Sequence, residues 1–146
     1  MASRAVPRVA LLSIHPQHAA AILDGRKSVE FRKRPIGKPV DLVLLYATSP
    51  TRRIVGYFEV ADQVTAAPSR IWEIHGTQGA VSRELFRDYY CGSRRAVAVL
   101  IARAVSLRTP LSLKDVGVST PPQSYLYLSA QAQASVRITA PLASIR

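Results

Sequence analysis

Apolar residues fall in short blocks along this chain, and the spacing within the blocks switches between that of a strand and that of a helix. Residues 9–14 form a short apolar run, long enough for one buried strand. His15-Pro16 breaks it, and proline suits a first helical position because the amide it lacks would have had no partner there. Ala19, Ile22 and Leu23 lie at i, i+3 and i+4, which predicts a short amphipathic helix over 16–24, stopped by Gly25 as a left-handed cap. Residues 28–34 then alternate, with Val29 and Phe31 on one face and Ser28, Glu30 and Arg32 on the other, the pattern of a strand with one buried face. Pro35, Gly37 and Pro39 mark a loop. Residues 40–47, apolar apart from Asp41, read as a strand buried on both faces. Thr48-Ser49-Pro50 turns the chain into a further strand over 54–60, with Gly56 inside it as a bulge or sharp bend.

Helical signals occupy the middle. Ser69 is placed to cap a helix carrying Ile71, Trp72 and Ile74 and ending near Gly76; Ser82 is placed to cap another, with Leu85, Phe86 and Tyr89 along one side and Gly92 at its end. Residues 96–105 are apolar except for Arg103 and predict a long strand. After Pro110 the texture changes, and the alanine- and glutamine-rich stretch 129–135 reads as a linker or frayed tail. The order is β-α-β-β-β-α-α-β, with little room for parallel crossovers. It predicts an α+β fold, a small mixed sheet or barrel with short helices packed at its ends. Trp72, Phe86, Tyr89 and Tyr90 are expected in the core. Tyr46, Tyr57, Tyr125 and Tyr127 are either core residues or surfaces on which an unpaired base can stack.

Composition narrows the setting. The 146 residues are one domain's worth, and 48% hydrophobic with 20% charged fits a folded chain rather than a basic disordered tail. Cys91 is the single cysteine, so an internal disulfide is excluded and a reducing compartment is expected. No apolar run approaches the roughly 18 residues of a membrane span, and the amino terminus lacks the pattern of a signal peptide. A cytoplasmic location is the expectation. The net charge of +11, from 20 Lys+Arg against 9 Asp+Glu, favours a polyanionic partner, nucleic acid or an anionic membrane surface. Eight basic residues against two acidic ones lie between Arg26 and Arg53, a clustering that leans toward phosphate. A plain basic surface is the alternative.

The densest polar constellation is Gly25-Arg26-Lys27-Ser28-Val29-Glu30-Phe31-Arg32-Lys33-Arg34. On a strand, Ser28, Glu30 and Arg32 would project from one face at about 7 Å intervals, with Lys27 at the turn before them. Arg32 offers a planar fork of donors for a phosphate or base edge, and Lys27 a compact point charge. Glu30 can fix either cation, accept from a base amino group or act as a general base. The competing reading is an ordinary strand face with Glu30 paired to Arg32 across solvent. His15 and His18 lie at i, i+3 but lack acidic partners, so they are expected as exposed helix-start histidines and no metal site is predicted. Cys91 has no neighbouring His or Asp and reads as an incidental thiol. The seven glycines are too scattered for a phosphate-binding fingerprint.

Taken in order, several of these segments resemble one family. Ser13-Ile14-His15-Pro16 followed by Ile22-Leu23-Asp24-Gly25-Arg26-Lys27-Ser28-Val29-Glu30-Phe31-Arg32 resembles the opening motif of the ASCH domain family. Tyr46-Ala47-Thr48-Ser49-Pro50 with Ile54-Val55-Gly56-Tyr57-Phe58-Glu59-Val60 is similar to its next strand pair, and Pro121-Pro122-Gln123-Ser124-Tyr125 to a motif near its end. The likeness spans about residues 9–128, so it implies one domain over 1–128 and a tail, mobile or an added edge segment, over 129–146. It implies a PUA-like small β-barrel with flanking helices and a basic cleft beside the barrel that takes RNA, single-stranded or looped, or a nucleotide-like small ligand. The residues expected to grip the nucleic acid are Lys27, Ser28, Glu30, Arg32, Lys33, Arg34, Ser49, Arg52 and Arg53. Family members are described as RNA-binding or regulatory. Some cleave single-stranded RNA, and others remove an acyl group from a modified cytidine. The amidohydrolases use a lysine, a threonine and a glutamate; Lys27 aligns with the lysine, but Glu30 stands at the threonine position and the glutamate has no evident counterpart. An RNA-binding module is therefore the leading expectation and a ribonuclease the alternative, with Lys27 and Ser124 facing each other as its catalytic residues. No cofactor is expected, and a divalent metal enters only for a nuclease.

Overall fold

All six strands among the described residues share one sheet. The computed structural model describes residues 8–37, 39–129 and 132–133. In chain order it contains β1 (Val9–Ile14), α1 (Pro16–Leu23), β2 (Val29–Arg32), β3 (Leu42–Ala47), β4 (Arg53–Ala66), α2 (Pro68–His75), α3 (Arg83–Tyr89), β5 (Ala96–Leu111) and β6 (Tyr125–Tyr127). Single 3₁₀ turns follow α2 (Gly76–Gln78) and β5 (Lys114–Val116). The strand order is β2-β5-β4-β3-β1-β6. Every neighbouring pair is antiparallel except β1 with β3, which is parallel. The expectation of little room for crossovers is corrected at that pair. Residues 15–41 separate the two strands, well beyond the dozen or so a parallel connection needs, and that connection contributes both α1 and the edge strand β2.

β4 and β5 run much further than their apolar cores, to 14 and 16 residues. Their outer halves carry alternating polar residues, such as Gln63 and Thr65, and pair across register shifts near Ile54, Glu59 and Val60. Each shift bends the ladder and increases its twist, so the long pair curls the sheet into a half-barrel. β2 is shorter than its alternation predicted, four residues rather than seven. The three-residue β6, which pairs Tyr125 and Tyr127 with Leu12 and Ala10, gave no periodic signal of its own.

The inner strands are buried on both faces. Val9 and Leu11 pack with Leu42, Leu44, Tyr46 and Tyr57 on one side of the sheet. Ala10, Leu12 and Ile14 pack with Ile22, Val43, Leu45 and Phe58 on the other, beneath α1. A third cluster joins Val29 and Phe31 to Ile71, Phe86 and Tyr90 under α2 and α3. Leu128 and Ala132 belong to the first cluster. Of the segment 129–146, residues 130, 131 and 134–146 lie outside the described residues. Among the described residues no helix is long and apolar enough to cross a membrane.

The helix starts follow local chemistry. α2 begins one residue before Ser69, because Pro68 occupies the first turn and Ala67 the cap position. At α3 the Ser82 hydroxyl accepts from the Leu85 amide at 3.0 Å. Ser82→Ala should therefore cost about 1 kcal/mol, read as a lower urea midpoint at unchanged slope; an unmoved midpoint would mean the cap contributes nothing to α3.

Candidate functional site

The helix stop at the end of α1 delivers the first site residue. Gly25 adopts φ +87°, and Asp24 secures the turn by accepting from the Arg26 amide and guanidinium. The chain then turns inward, with the Lys27 amide donating to Ala21 O at 3.0 Å. Lys27 is only 2% exposed, unusual for an unpaired lysine, and this one is paired. Its Nζ donates to the Gly79 carbonyl at 2.6 Å and lies 3.5 Å from Glu30 Oε1. Gly79 must be glycine for that approach, since a Cβ there would overlap the Phe31 ring. Burial pushes the Lys27 ammonium below the ordinary lysine range, and the Glu30 charge opposes the shift.

Glu30 sits mid-strand in β2 opposite Val99 and is 5% exposed. Its second oxygen lies 3.2 Å from an Arg32 guanidinium nitrogen. The other Arg32 nitrogen donates to the Ser124 hydroxyl at 2.8 Å. Ser124 is brought there from 92 residues away. Ser13, on β1, anchors that segment through its hydroxyl to Pro122 O at 2.7 Å and its amide to Ser124 O at 3.0 Å. The result is a continuous chain from Gly79 O through Lys27, Glu30 and Arg32 to Ser124. It holds two cations and one anion, so its residual charge is positive and its carboxylate is already taken up. The solvent-exposed Glu30–Arg32 pair considered from the sequence is not what forms.

Lys27, Glu30 and Arg32 line a cleft of about 560 Å³ together with residues from four other places in the chain, and Ser124 stands beside that lining, held by Arg32 rather than facing Lys27. β1 and the start of α1 supply Ser13, Ile14, His15, Gln17 and His18; the turn after β3 supplies Thr48, and the approach to β6 supplies Gln123. The opposite wall is apolar, made by Phe31, Val81, Leu85, Phe86 and Tyr89. Leu85 and Tyr89, one helical turn apart on α3, are 60% and 41% exposed. Tyr89 was expected in the core. Phe86 and Tyr90 take that position instead, because they occupy the adjoining face of α3, and Tyr90 donates to Arg32 O at 2.7 Å. His18 is half-buried, and burial followed by the neighbouring Lys27 charge holds its pKa below the ordinary imidazole value.

The fold brings Lys27, Glu30, Arg32 and Ser124 together and distributes the other predicted residues around them. Ser28 is exposed outside the cleft lining, with its amide bound to Gln78 O. Lys33 and Arg34 continue past the end of β2, exposed, and the Lys33 ammonium stands 4.9 Å from the centre of the Tyr89 ring. Ser49, Arg52 and Arg53 lie exposed on the turn into β4, where Arg52 has φ +51° and Arg53 donates to its carbonyl. Thr48 from this turn lines the cleft; the other three do not. Sequence reading missed Thr48, Gln123, Leu85, His15 and His18 as cleft residues. Only the i, i+3 histidines at a helix start carried a signal that could have marked them. Among the described residues no group of three or more His, Cys, Asp or Glu is placed to hold a metal ion.

A curled α+β half-barrel with a polar, net-positive cleft at its rim defines a PUA-like domain. Residues 12–102 match the ASCH domain family. The chain belongs to that family. It is 32% identical over 124 residues to an ASCH domain-containing ribonuclease of Zymomonas mobilis, an alignment covering 82% of this chain and 83% of that protein. The crystal structure of ASCH from Zymomonas mobilis superposes with a TM-score of 0.83 at 29% identity, over 90% of this chain and 95% of that one. A 33% identical match over 120 residues, within large ribosomal subunit protein uL22 of Ureaplasma parvum, covers 81% of this chain but 38% of that protein.

Proposed function

We propose that this domain binds single-stranded or looped RNA in the cleft and cleaves it there. The observation that carries the reading is the buried Lys27–Glu30–Arg32 chain ending on the Ser124 hydroxyl. Its net positive charge suits a phosphodiester, and its fixed geometry suits a group whose charge grows in the transition state. Lys27 and Arg32 take the non-bridging oxygens, and Glu30 holds both cations in place. Because Ser124 accepts from Arg32, its own proton is free to be donated to the phosphate or the base. Leu85 and Tyr89 offer the face on which an unpaired base stacks. The similarity to a protein named as a ribonuclease, over most of both chains, supports cleavage over binding alone. Cys91, free and exposed, is consistent with a reducing, cytoplasmic setting.

The test is incubation of the purified protein with 5′-labelled single-stranded RNA, with and without chelator, resolved on native and denaturing gels from the same tubes. A retarded band and shortened products are expected, with affinity falling steeply as salt rises. Replacing Lys33 and Arg34 with Gln should lower the log–log salt slope by about 0.7 for each phosphate no longer neutralised. Retardation without shortening would leave a binding module. The absence of both would favour a nucleotide-like small ligand, for which the cleft has the volume.

A further inference from the structure

Two imidazoles line the cleft that the reading above does not use. His15 is the residue before α1, where Ser, Thr, Asp or Asn usually stands because a side-chain oxygen there takes up a free helix amide. The His15 ring makes no such bond. His18 lies one turn further along, half-buried where His15 is exposed. Neither ring has a hydrogen-bond or ion-pair partner among the described residues, and their centres are 6.1 Å apart. Both face the same space as Lys27, Glu30 and Arg32. Capping does not explain the first ring, and core packing does not explain the second.

RNA cleavage without an external nucleophile needs two proton transfers at opposite sides of one phosphorus. The 2′-hydroxyl loses a proton as its oxygen attacks, and the departing 5′-oxygen gains one. Each transfer works over about 3 Å, so the two groups must stand several ångströms apart, close enough to share one phosphate but not in contact. The spacing of the His15 and His18 rings meets that requirement, with Lys27 and Arg32 placed for the oxygens that stay on phosphorus.

We propose that His18 and His15 are the proton-transfer pair of this cleft, His18 taking the 2′-hydroxyl proton and His15 protonating the 5′-oxygen. The inference rests on the ribonuclease reading and specifies its chemistry. The bond from O2′ to phosphorus forms as the bond to O5′ breaks, giving a 2′,3′-cyclic phosphate and a 5′-hydroxyl, with one proton taken up and one released. The division of roles follows the environment. The groups facing His18 are Lys27 from the turn after α1, Glu30 from β2 and His15 from the start of α1 itself, with Arg32 and Tyr89 lining the same space. Burial and the Lys27 charge favour the neutral form of His18, the form a base needs. His15 lies at the exposed mouth, where a leaving strand departs.

The experiment measures kcat/KM for cleavage of a single-stranded RNA across pH for wild type, His18→Gln and His15→Gln, with analysis of the product ends. A third arm uses a uridine 3′-phosphate aryl ester, whose leaving group departs without a proton. Wild type should give a bell-shaped profile and cyclic-phosphate ends. Each variant should lose about 100-fold or more, with His18→Gln also losing the acid-side rise. The aryl ester should restore His15→Gln and leave His18→Gln impaired. Retained RNA retardation by both variants shows that they are folded. Wild-type cleavage accompanied by unimpaired variants, or by 3′-hydroxyl ends, overturns this inference alone. A wild type that binds RNA but does not cut it overturns this inference and the ribonuclease reading together.

Discussion

Lys27→Met should remain folded and lose about 10²–10³ of its rate of RNA cleavage, the size of effect seen when one pre-positioned donor to a developing charge is removed. The location of the ammonium is the reason. It is buried against Phe31, held by the Gly79 carbonyl at 2.6 Å and placed 3.5 Å from Glu30. A charge fixed in that way needs no reorganisation when a phosphorane forms beside it, whereas a solvated lysine would have to shed water and choose a rotamer. Methionine has similar length and can lie against the same Phe31 ring. Replacing a buried charge by an apolar group is often neutral for stability when the partner keeps another counter-charge, and Glu30 keeps Arg32 at 3.2 Å. Single-turnover cleavage and a thermal melt, run on one preparation, separate the two effects. A variant that melts as wild type and cuts RNA at the wild-type rate would remove Lys27 from the chemistry.

Glu30→Leu should be the most destabilising single change in the site, by about 3–5 kcal/mol, because it strands a buried ammonium without its counter-charge. The same reasoning makes Lys27→Met a partial suppressor. In the Lys27→Met/Glu30→Leu double variant no buried cation is left alone, so much of the missing stability should return. Urea denaturation of wild type, both single variants and the double variant closes the cycle, and groups in direct contact couple by about 0.5–3 kcal/mol. Additive losses, or a Glu30→Leu variant within about 0.5 kcal/mol of wild type, would show that the carboxylate does not compensate Lys27.

Together these expectations describe a site in which one acidic residue organises two basic ones. The formal charge of +11 comes from basic residues along much of the sequence, but only Lys27 and Arg32 of the predicted phosphate binders line the cleft. Lys33 and Arg34 continue outward from the same strand, beside Tyr89. In the proposed function they steer and retain a longer strand while the cleft handles one nucleotide. Ser49, Arg52 and Arg53 lie on a separate turn, next to Thr48, and would contact RNA only where it leaves the cleft on that side.

Several features were legible in the order of residues because they depend on near neighbours. The run 9–14, the proline at the start of α1, Gly25 at its end and the Ser82 cap are local signals, and each appears in the fold where its chemistry requires. The cluster of Lys27, Glu30 and Arg32 was also visible, since turn and strand geometry place these residues as neighbours on one face whatever surrounds them. What local pattern did not carry was burial and distance. The same Glu30–Arg32 spacing serves a solvated strand face, and only the packing of the 79–86 region over β2 turns it into a buried charge chain. The full lengths of β4 and β5 depend on partner strands that satisfy their polar outer halves. β6 exists because β1 offers it an edge. Ser124 reaches Arg32, and the two histidines face the same cleft as Lys27, because a parallel β1–β3 pair ends at the rim where α1 begins. Sequence by itself determined the family, the order of most elements and the charged residues of the site. Tertiary structure decided which of those charges meet, which are stripped of water, and which apolar and imidazole side chains face them, because desolvation and long-range contact are properties of the assembled sheet and not of any segment within it.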